Sequence, residues 1–325
     1  MGKQAFQANN INNAMFDWLK RSGTQSGLTA IGLYSDGVCV VRVAHERGQR
    51  PRVVAWEHRA REAGVAEEKL LQRLCSDHQL KRAHCTTLLD ESEYSLLLTE
   101  APDVKPEELK TALRWRVKDL IDFHINDATL DVFELPGSDG NKSREMYAVA
   151  VRSEAIRRRA DPLQDAGINL EIIDIPEMAQ RNLAALLPED AQGVALLSFA
   201  NRGSLLTITR QGDLYLSRGI EVGLDHLQQS GDVSGYLDRV ALEIQRSLDY
   251  FESHFRQSPV QHLVLTPAGA HPPGLLDHLR NNLSIGVSVM NLAELVEMGD
   301  TVPPELEGPC LFTLGAALRR EEKVL

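Results

Sequence analysis

Cysteine is scarce in this chain. Only four occur in 325 residues (Cys39, Cys75, Cys85 and Cys310), with no C-x-x-C pair among them. Single cysteines argue against a structural zinc site and for a reducing compartment. Long apolar runs are absent too. No stretch approaches the roughly 18–20 residues that a membrane span requires. The N-terminal "MGKQAFQANNINNAMFDWLKRSG" has no apolar h-region, so no secretory signal is expected and the protein is expected in the cytoplasm. Positive charge is in deficit: 35 Lys and Arg face 46 Asp and Glu, a net −11. With no dense basic tract to offset it, this charge excludes nucleic acid as a partner. G-x-S-x-G, P-loop and G-x-G-x-x-G motifs are missing. The ten histidines are scattered without H-E-x-x-H or another ligand spacing, so no metal site and no catalytic residue is expected.

What is present is a globular composition, 43% apolar and 25% charged, long enough for two domains. Residues 1–26 are expected to be an N-terminal amphipathic helical segment. Ile11, Met15, Trp18 and Leu19 share a helical face, followed by Lys20 and Arg21. Two cations are few for a membrane-surface helix, so docking on the domain or on a partner is the better reading.

The stretch "AIGLYSDGVCVVRVA" reads as a hairpin about Asp36-Gly37, and "RVVAWEHRA" adds a third strand. Residues 193–223 repeat the plan: Val194–Phe199, the turn "ANRG", Ser204–Thr209, the turn "RQGD", and Leu214–Arg218. A helix follows each meander, Ala66–Asp77 and Tyr236–Phe255. Such self-similarity predicts duplicated domains. The second helix carries a continuous apolar stripe of Leu237, Val240, Ala241, Ile244, Leu248, Phe251 and Phe255. After it, "VQHLVLT" and "VSVMNL" read as strands separated by the helix "LLDHLRNNL". Strands alternating with helices imply an α/β architecture with partly parallel sheets.

Between the halves, about residues 91–174 run β-α-β-β-α-β, a ferredoxin-like order. Its last strand, "NLEIIDI", fits either this inserted subdomain or the parent sheet. Pro162 marks a kink or break in the second of its helices. The domains expected are therefore 27–190, containing the insertion, and 191–325.

Two meander-plus-helix halves with an insertion in the first resemble the actin-like ATPase (duplicated ribonuclease H-like) fold. The insertion is similar to that of the FtsA and PilM branch. The stretches "LRWRVKDLIDFHINDATLDVFEL", "YAVAVRSEAI", "LQDAGINLEIIDIPEMAQRNLAAL", "LEIQRSLDYFESHF" and "LFTLGAALRR" resemble the PilM family of type IV pilus assembly proteins. Length and weakened nucleotide motifs look closest to the PilM-like protein of MSHA-type pilus systems. The resemblance implies a cytoplasmic actin-like protein, peripheral to the inner membrane through its partners. It would grip the cytoplasmic tail of a PilN-like bitopic membrane protein and link this platform to a secretion-type ATPase.

Nucleotide-binding members of the fold carry a first hairpin I-G-x-D-x-G-[ST]. Aligned on Ile31-Gly32, this chain has Tyr34 for the aspartate, Asp36 for the glycine and Gly37 for the hydroxyl residue. A tyrosine is a poor substitute for a carboxylate around Mg²⁺, which takes hard anionic oxygen. Asp36 would face a triphosphate with like charge. In the second hairpin, Ser198, Phe199, Ala200 and Asn201 stand where the family has D-[IV]-G-[AGS], and Gly203 closes the turn. The adenosine side keeps more: Glu243 and Arg246 retain an acid-base spacing of i, i+3, and Gly269 is what remains of an S-G-G loop. A plain solvent-side ion pair is the better reading of Glu243–Arg246. No cofactor is expected; ATP or ADP would bind only through these remnants.

The leading expectation is thus a non-enzymatic scaffold with a degenerate nucleotide site. The alternatives are an ATP-binding switch of the same machinery, or of a type II secretion system, and a sugar or acid kinase of the superfamily. The kinase lacks the catalytic acid it would need. Trp115 and Leu120 on the insertion are candidate partner-binding residues, Trp115 also fitting a core position. The tail is expected in a groove between insertion and first domain, and the net negative charge predicts Lys or Arg in it. Self-association through the insertion is the competing expectation. "RRR" at Arg157–Arg159 reads as a solvated helix face.

Overall fold

The computed structural model describes residues 27–320, except 63, 137–144, 201–202, 224, 226–230, 268–271, 273 and 299–301, and except the side chains of 106 and 107. The amphipathic segment 1–26 and Gly269 therefore lie outside the described residues.

The first half opens with β1 (Thr29–Leu33), β2 (Gly37–Ala44), β3 (Arg52–Ala60), α1 (Glu67–Asp77) and β4 (Cys85–Leu88). The insertion follows with β5 (Tyr94–Glu100), α2 (Pro106–Val117), β6 (Ala128–Glu134), β7 (Glu145–Arg152) and α3 (Ser153–Asp165). Then come β8 (Leu170–Asp174) and α4 (Pro176–Ala184). The second half contains β9 (Val194–Phe199), β10 (Ser204–Arg210), β11 (Asp213–Ile220), α5 (Val233–Phe255), β12 (His262–Leu265), α6 (Leu275–Asn282) and β13 (Gly286–Val289). The short helices α7 (Leu292–Leu295) and α8 (Pro304–Glu307) lead to α9 (Leu311–Ala317).

Each half builds a five-stranded sheet, ordered β3-β2-β1-β4-β8 and β11-β10-β9-β12-β13. In both, the first three strands are an antiparallel meander and the last two add in parallel. The two sheets thus share one topology, as the repeated meanders predict. Gln211 and Gly212 turn the second meander with φ of 55° and 80°, the pair of left-handed residues that matches strand twist in a two-residue hairpin.

β8 pairs in parallel with β4. That removes the last strand of the expected ferredoxin-like unit to the parent sheet and leaves the insertion a three-stranded antiparallel sheet, β5-β7-β6. α2 covers one face of it, where Leu113 and Val117 meet Val132, Met146, Ala148 and Ala150. The other face carries Val149 and Val151 and packs Ala155 of α3. Further along, α3 delivers Leu163 to the core of the first half beside Leu71 and Leu74. The helix runs on through Pro162 without a break.

α5 begins one turn earlier than its sequence pattern suggests, where the Asp232 side chain accepts from the Gly235 amide. Its buried stripe is Leu237, Val240, Ala241, Ile244 and Phe251, packed on the second sheet. Leu248 and Phe255 are only partly buried. The fully buried neighbour is Ser247, whose hydroxyl is satisfied by the Glu243 carbonyl at 2.7 Å.

The remaining faces of the two sheets share a core with α4 and α9 between them. Cys39 and Val41 from the first half and Leu196 and Val264 from the second meet Leu183 and Leu314 there. Within it Cys39 and Cys310 form a disulfide. Single cysteines gave no sign of this pairing: the fold brings together two that are 271 residues apart in sequence. Cys75 and Cys85 remain free and buried.

Candidate functional site

The first hairpin is displaced by one residue from its expected turn. The Tyr34 amide donates to the Gly37 carbonyl at 2.9 Å, so Ser35 and Asp36 are the central residues. Gly37 is not left-handed. Glycine is needed there for space, since a Cβ would lie 2.6 Å from the Arg59 carbonyl oxygen and 2.8 Å from His58 Nε2. The Asp-Gly pair therefore reflects packing against β3 instead of turn conformation. Asp36 is exposed, with its carboxylate 3.9 Å from His58 Nε2.

The Tyr34 hydroxyl shares a hydrogen bond with Thr313 Oγ1 on α9 at 2.8 Å. Burial pushes its phenol up to about 12. The group is neutral at physiological pH and supplies no anionic oxygen for a divalent cation. Gly32 makes room for this contact, because a Cβ would fall 2.2 Å from Thr313 Oγ1 and 2.5 Å from the Tyr34 ring. Tyr34 and α9 thus fill the space beside this hairpin.

Ser198 is likewise engaged. It is buried and donates to Gln180 Oε1 at 2.8 Å. Gln180 Nε2 in turn approaches the carbonyls of Leu196 (2.6 Å) and Leu205 (3.2 Å) and Thr207 Oγ1 (3.0 Å). Ser198 thus belongs to a buried network tying α4 to the second meander. Gly203 accepts from the Ala200 amide at 2.8 Å, and a Cβ on it would come within 3.1 Å of the Ile220 carbonyl.

The i, i+3 pair exists: Arg246 Nη1 donates to Glu243 Oε1 at 2.7 Å. Arg218 of β11 adds a second contact, 3.3 Å from Glu243 Oε2, which spacing along a helix does not reveal. Among the described residues no group of three or more His, Cys, Asp or Glu is placed to hold a metal ion.

An open cavity of about 300 Å³ does adjoin the first hairpin. Leu33, Tyr34 and Ser35 form one wall, Arg61 and Glu67 a second, and Glu93, Arg158 and Arg159 a third. It thus lies between the first hairpin and the insertion's α3, with the turn that precedes β5. Arg61 pairs with Glu67 and donates to the Tyr34 carbonyl at 3.1 Å. Arg159 binds Glu93 at 2.5 Å and approaches the Leu33 carbonyl at 3.3 Å. Glu93 is set by a reciprocal cap in which its side chain accepts from the Asp90 amide and Asp90 from the Ser92 amide.

Sequence reasoning missed these residues. The cap is legible in "DESE", but "RRR" as a solvated face is wrong for Arg159, whose side chain is only 12% exposed against a Glu93 of 17%. Arg157 and Arg158 are exposed, Arg158 with Glu154 no nearer than 3.9 Å.

Trp115 and Leu120 do not line this cavity. They lie on and just beyond α2, on the far face of the insertion sheet from α3, and are 70% and 57% exposed. Lys118 sits over the Trp115 ring at 5.2 Å. A core role for Trp115 is excluded by that exposure. The insertion also touches the second half. Glu145 Oε2 meets His254 Nε2 at 2.7 Å, and the Tyr147 hydroxyl accepts from the Ser217 amide at 3.2 Å.

Residues 97–233 match the family model described as type IV pilus assembly protein PilM. A search of curated proteins finds no match. Among solved structures, the PilM–PilN type IV pilus biogenesis complex aligns with a TM-score of 0.66 at 19% identity, over 90% of this chain and 98% of that one. The cytoplasmic domain of EpsL, an inner-membrane component of the type II secretion system of Vibrio cholerae, aligns at TM-score 0.48 and 13% identity, over 91% and 97%. A Bacteroides thetaiotaomicron protein with an actin-like ATPase fold aligns at 0.46 and 9% identity, over 89% and 96%.

Proposed function

Because the chain is PilM-like and has the actin-like ATPase fold, we propose that it is a non-catalytic cytoplasmic scaffold of a type IV pilus platform of the MSHA type. It would sit under the inner membrane through its partners and bind the tail of a PilN-like bitopic protein. A secretion-type ATPase would be its second partner. The observation that carries this reading is the filling of both hairpins by the protein itself. Tyr34 is bonded to Thr313 and Ser198 to Gln180, so neither offers the open backbone and carboxylate that nucleotide chemistry needs. Among the described residues no helix is long and apolar enough to cross a membrane, which fits attachment through a partner.

The tail would lie in the cavity at the first hairpin. Its chemistry differs from what net charge suggests. Three arginines line it against two glutamates, and Arg61 and Arg159 are already paired with those glutamates. Arg158 also lines the cavity, with its side chain 64% exposed and Glu154 at 3.9 Å. Over a few ångströms the nearby guanidinium outweighs distant surface acids, which salt screens beyond about 8–10 Å. A neutral or acidic tail residue suits the site better than Lys or Arg.

Two measurements test the proposal. First, millimolar Mg·ATP should leave the melting temperature nearly unchanged, since stabilisation follows RT ln(1 + [L]/Kd). A gain of about 3 kcal/mol, the value expected at roughly 100 times Kd, would refute the filled-site reading. It would favour the nucleotide switch, for which the retained Glu243–Arg246 pair is the supporting observation.

Second, a photo-crosslinkable synthetic copy of the PilN-like tail should label the hairpin 33–35 and residues near Arg158. Arg158→Glu should weaken the tail's Kd by about tenfold or more, a loss of roughly 1.4 kcal/mol. Labels confined to the second half, or to α2 around Trp115 alone, would rule out this docking site.

A further inference from the structure

Cys39 and Cys310 are joined with their Cα atoms 5.7 Å apart, an ordinary span for a disulfide. Neither cysteine has exposed surface. Cys39 lies on β2 directly opposite Gly32 of β1. Cys310 immediately precedes α9, and its carbonyl accepts from the Leu314 amide at 2.8 Å in the first turn. That same turn carries Thr313, which holds the Tyr34 hydroxyl. Gly32 is the floor on which Thr313 and the Tyr34 ring meet. Cross-link, helix start and hairpin wall are one connected unit.

We propose that Cys39 and Cys310 are a reversible redox staple. It clamps α9 to the first sheet and thereby sets the position of Tyr34 on the cavity wall. In closing, the two thiols give two protons and two electrons to a glutathione-type disulfide. That disulfide leaves as two glutathione thiols, and one protein S–S bond forms. Because both sulfurs are shielded, exchange proceeds through opening of α9, as thiolate attack requires access. Reduction of the native protein is accordingly slow. Opening the staple loosens α9 without releasing it, because Leu311, Leu314, Ala316 and Ala317 remain in the central core. The oxidised form is also the more stable, since the cross-link closes a loop of most of the chain in the unfolded state. Cys75 and Cys85 belong to a separate core with α1 and serve as internal controls.

The test uses the full chain. Protein equilibrated with glutathione disulfide, then denatured and alkylated, should show two modified cysteines, Cys75 and Cys85, and four after prior reduction. Protein refolded with dithiothreitol should melt at least about 5 °C lower. Its amides in 31–38 and 311–317 should exchange about tenfold faster or more than in the oxidised form. Cys310→Ala should reproduce the reduced behaviour and lose the response to dithiothreitol, while Cys75→Ala keeps it. Four alkylated cysteines after equilibration with glutathione disulfide would overturn the proposal. So would identical melting and exchange of residues 31–38 in the two redox states.

Discussion

Truncating Phe251 to alanine is expected to remove about 3–5 kcal/mol from the stability of the second half. Its ring is 1% exposed. It meets Tyr215 edge-on at a centroid distance of 5.6 Å and Phe255 at 5.6 Å. Those rings belong to the layer that joins α5 to the second sheet, so the void left by Phe251 has rigid walls and little chance to collapse. Glu243→Ala on the same helix is the contrast. Its carboxylate is 27% exposed and paired with two arginines, where partly solvated ion pairs contribute about 1 kcal/mol or less. Urea titrations of the two variants should therefore separate clearly. Equal small losses would mean that the inward face of α5 is misassigned.

Gly315→Val is expected to be nearly as damaging, costing about 3 kcal/mol through overpacking. Two effects oppose one another here. Replacing glycine within a helix recovers several tenths of a kcal/mol of propensity. Against that, a Cβ at Gly315 would stand 2.4 Å from the Ala179 carbonyl oxygen and 2.8 Å from its carbon. These are backbone atoms of α4 and cannot rotate away, so the helices must separate. Separation also strains the bond from Asn182 Nδ2 to the Gly315 carbonyl at 2.9 Å. Gly219→Ala is the control, since nothing lies within 4 Å of a Cβ there. The melting temperature should fall markedly for the first and hardly move for the second. A Gly315→Val protein as stable as the parent would show that α4 and α9 do not approach this closely.

The repeat of strand, turn, strand, turn, strand and helix was legible in the residues because each element announces itself locally. A short, nearly continuous run of apolar, mostly β-branched residues makes Val38–Val43 a strand, and a 3.6-residue period makes Tyr236–Phe255 a helix. The same patterns appear twice, and the two sheets have the same strand order. Local pattern says which face of an element is buried. It does not say against what. Hence β8 could be read into the insertion, although it pairs with β4, and Trp115 could be read as core, although α2 buries Leu113 and Val117 instead.

The residues that stand at the two hairpins, Tyr34 and Ser198, could also be read from the chain. What meets them there could not. Thr313 is 279 residues from Tyr34, Cys310 is 271 from Cys39, and Glu93 is 66 from Arg159. No periodicity connects such pairs. Composition and short-range spacing determined the duplicated architecture and its surface charge. The return of α9 between the two sheets decided the rest: it brings Thr313 to Tyr34 and Cys310 to Cys39, contacts that exist only once distant segments share one close-packed core.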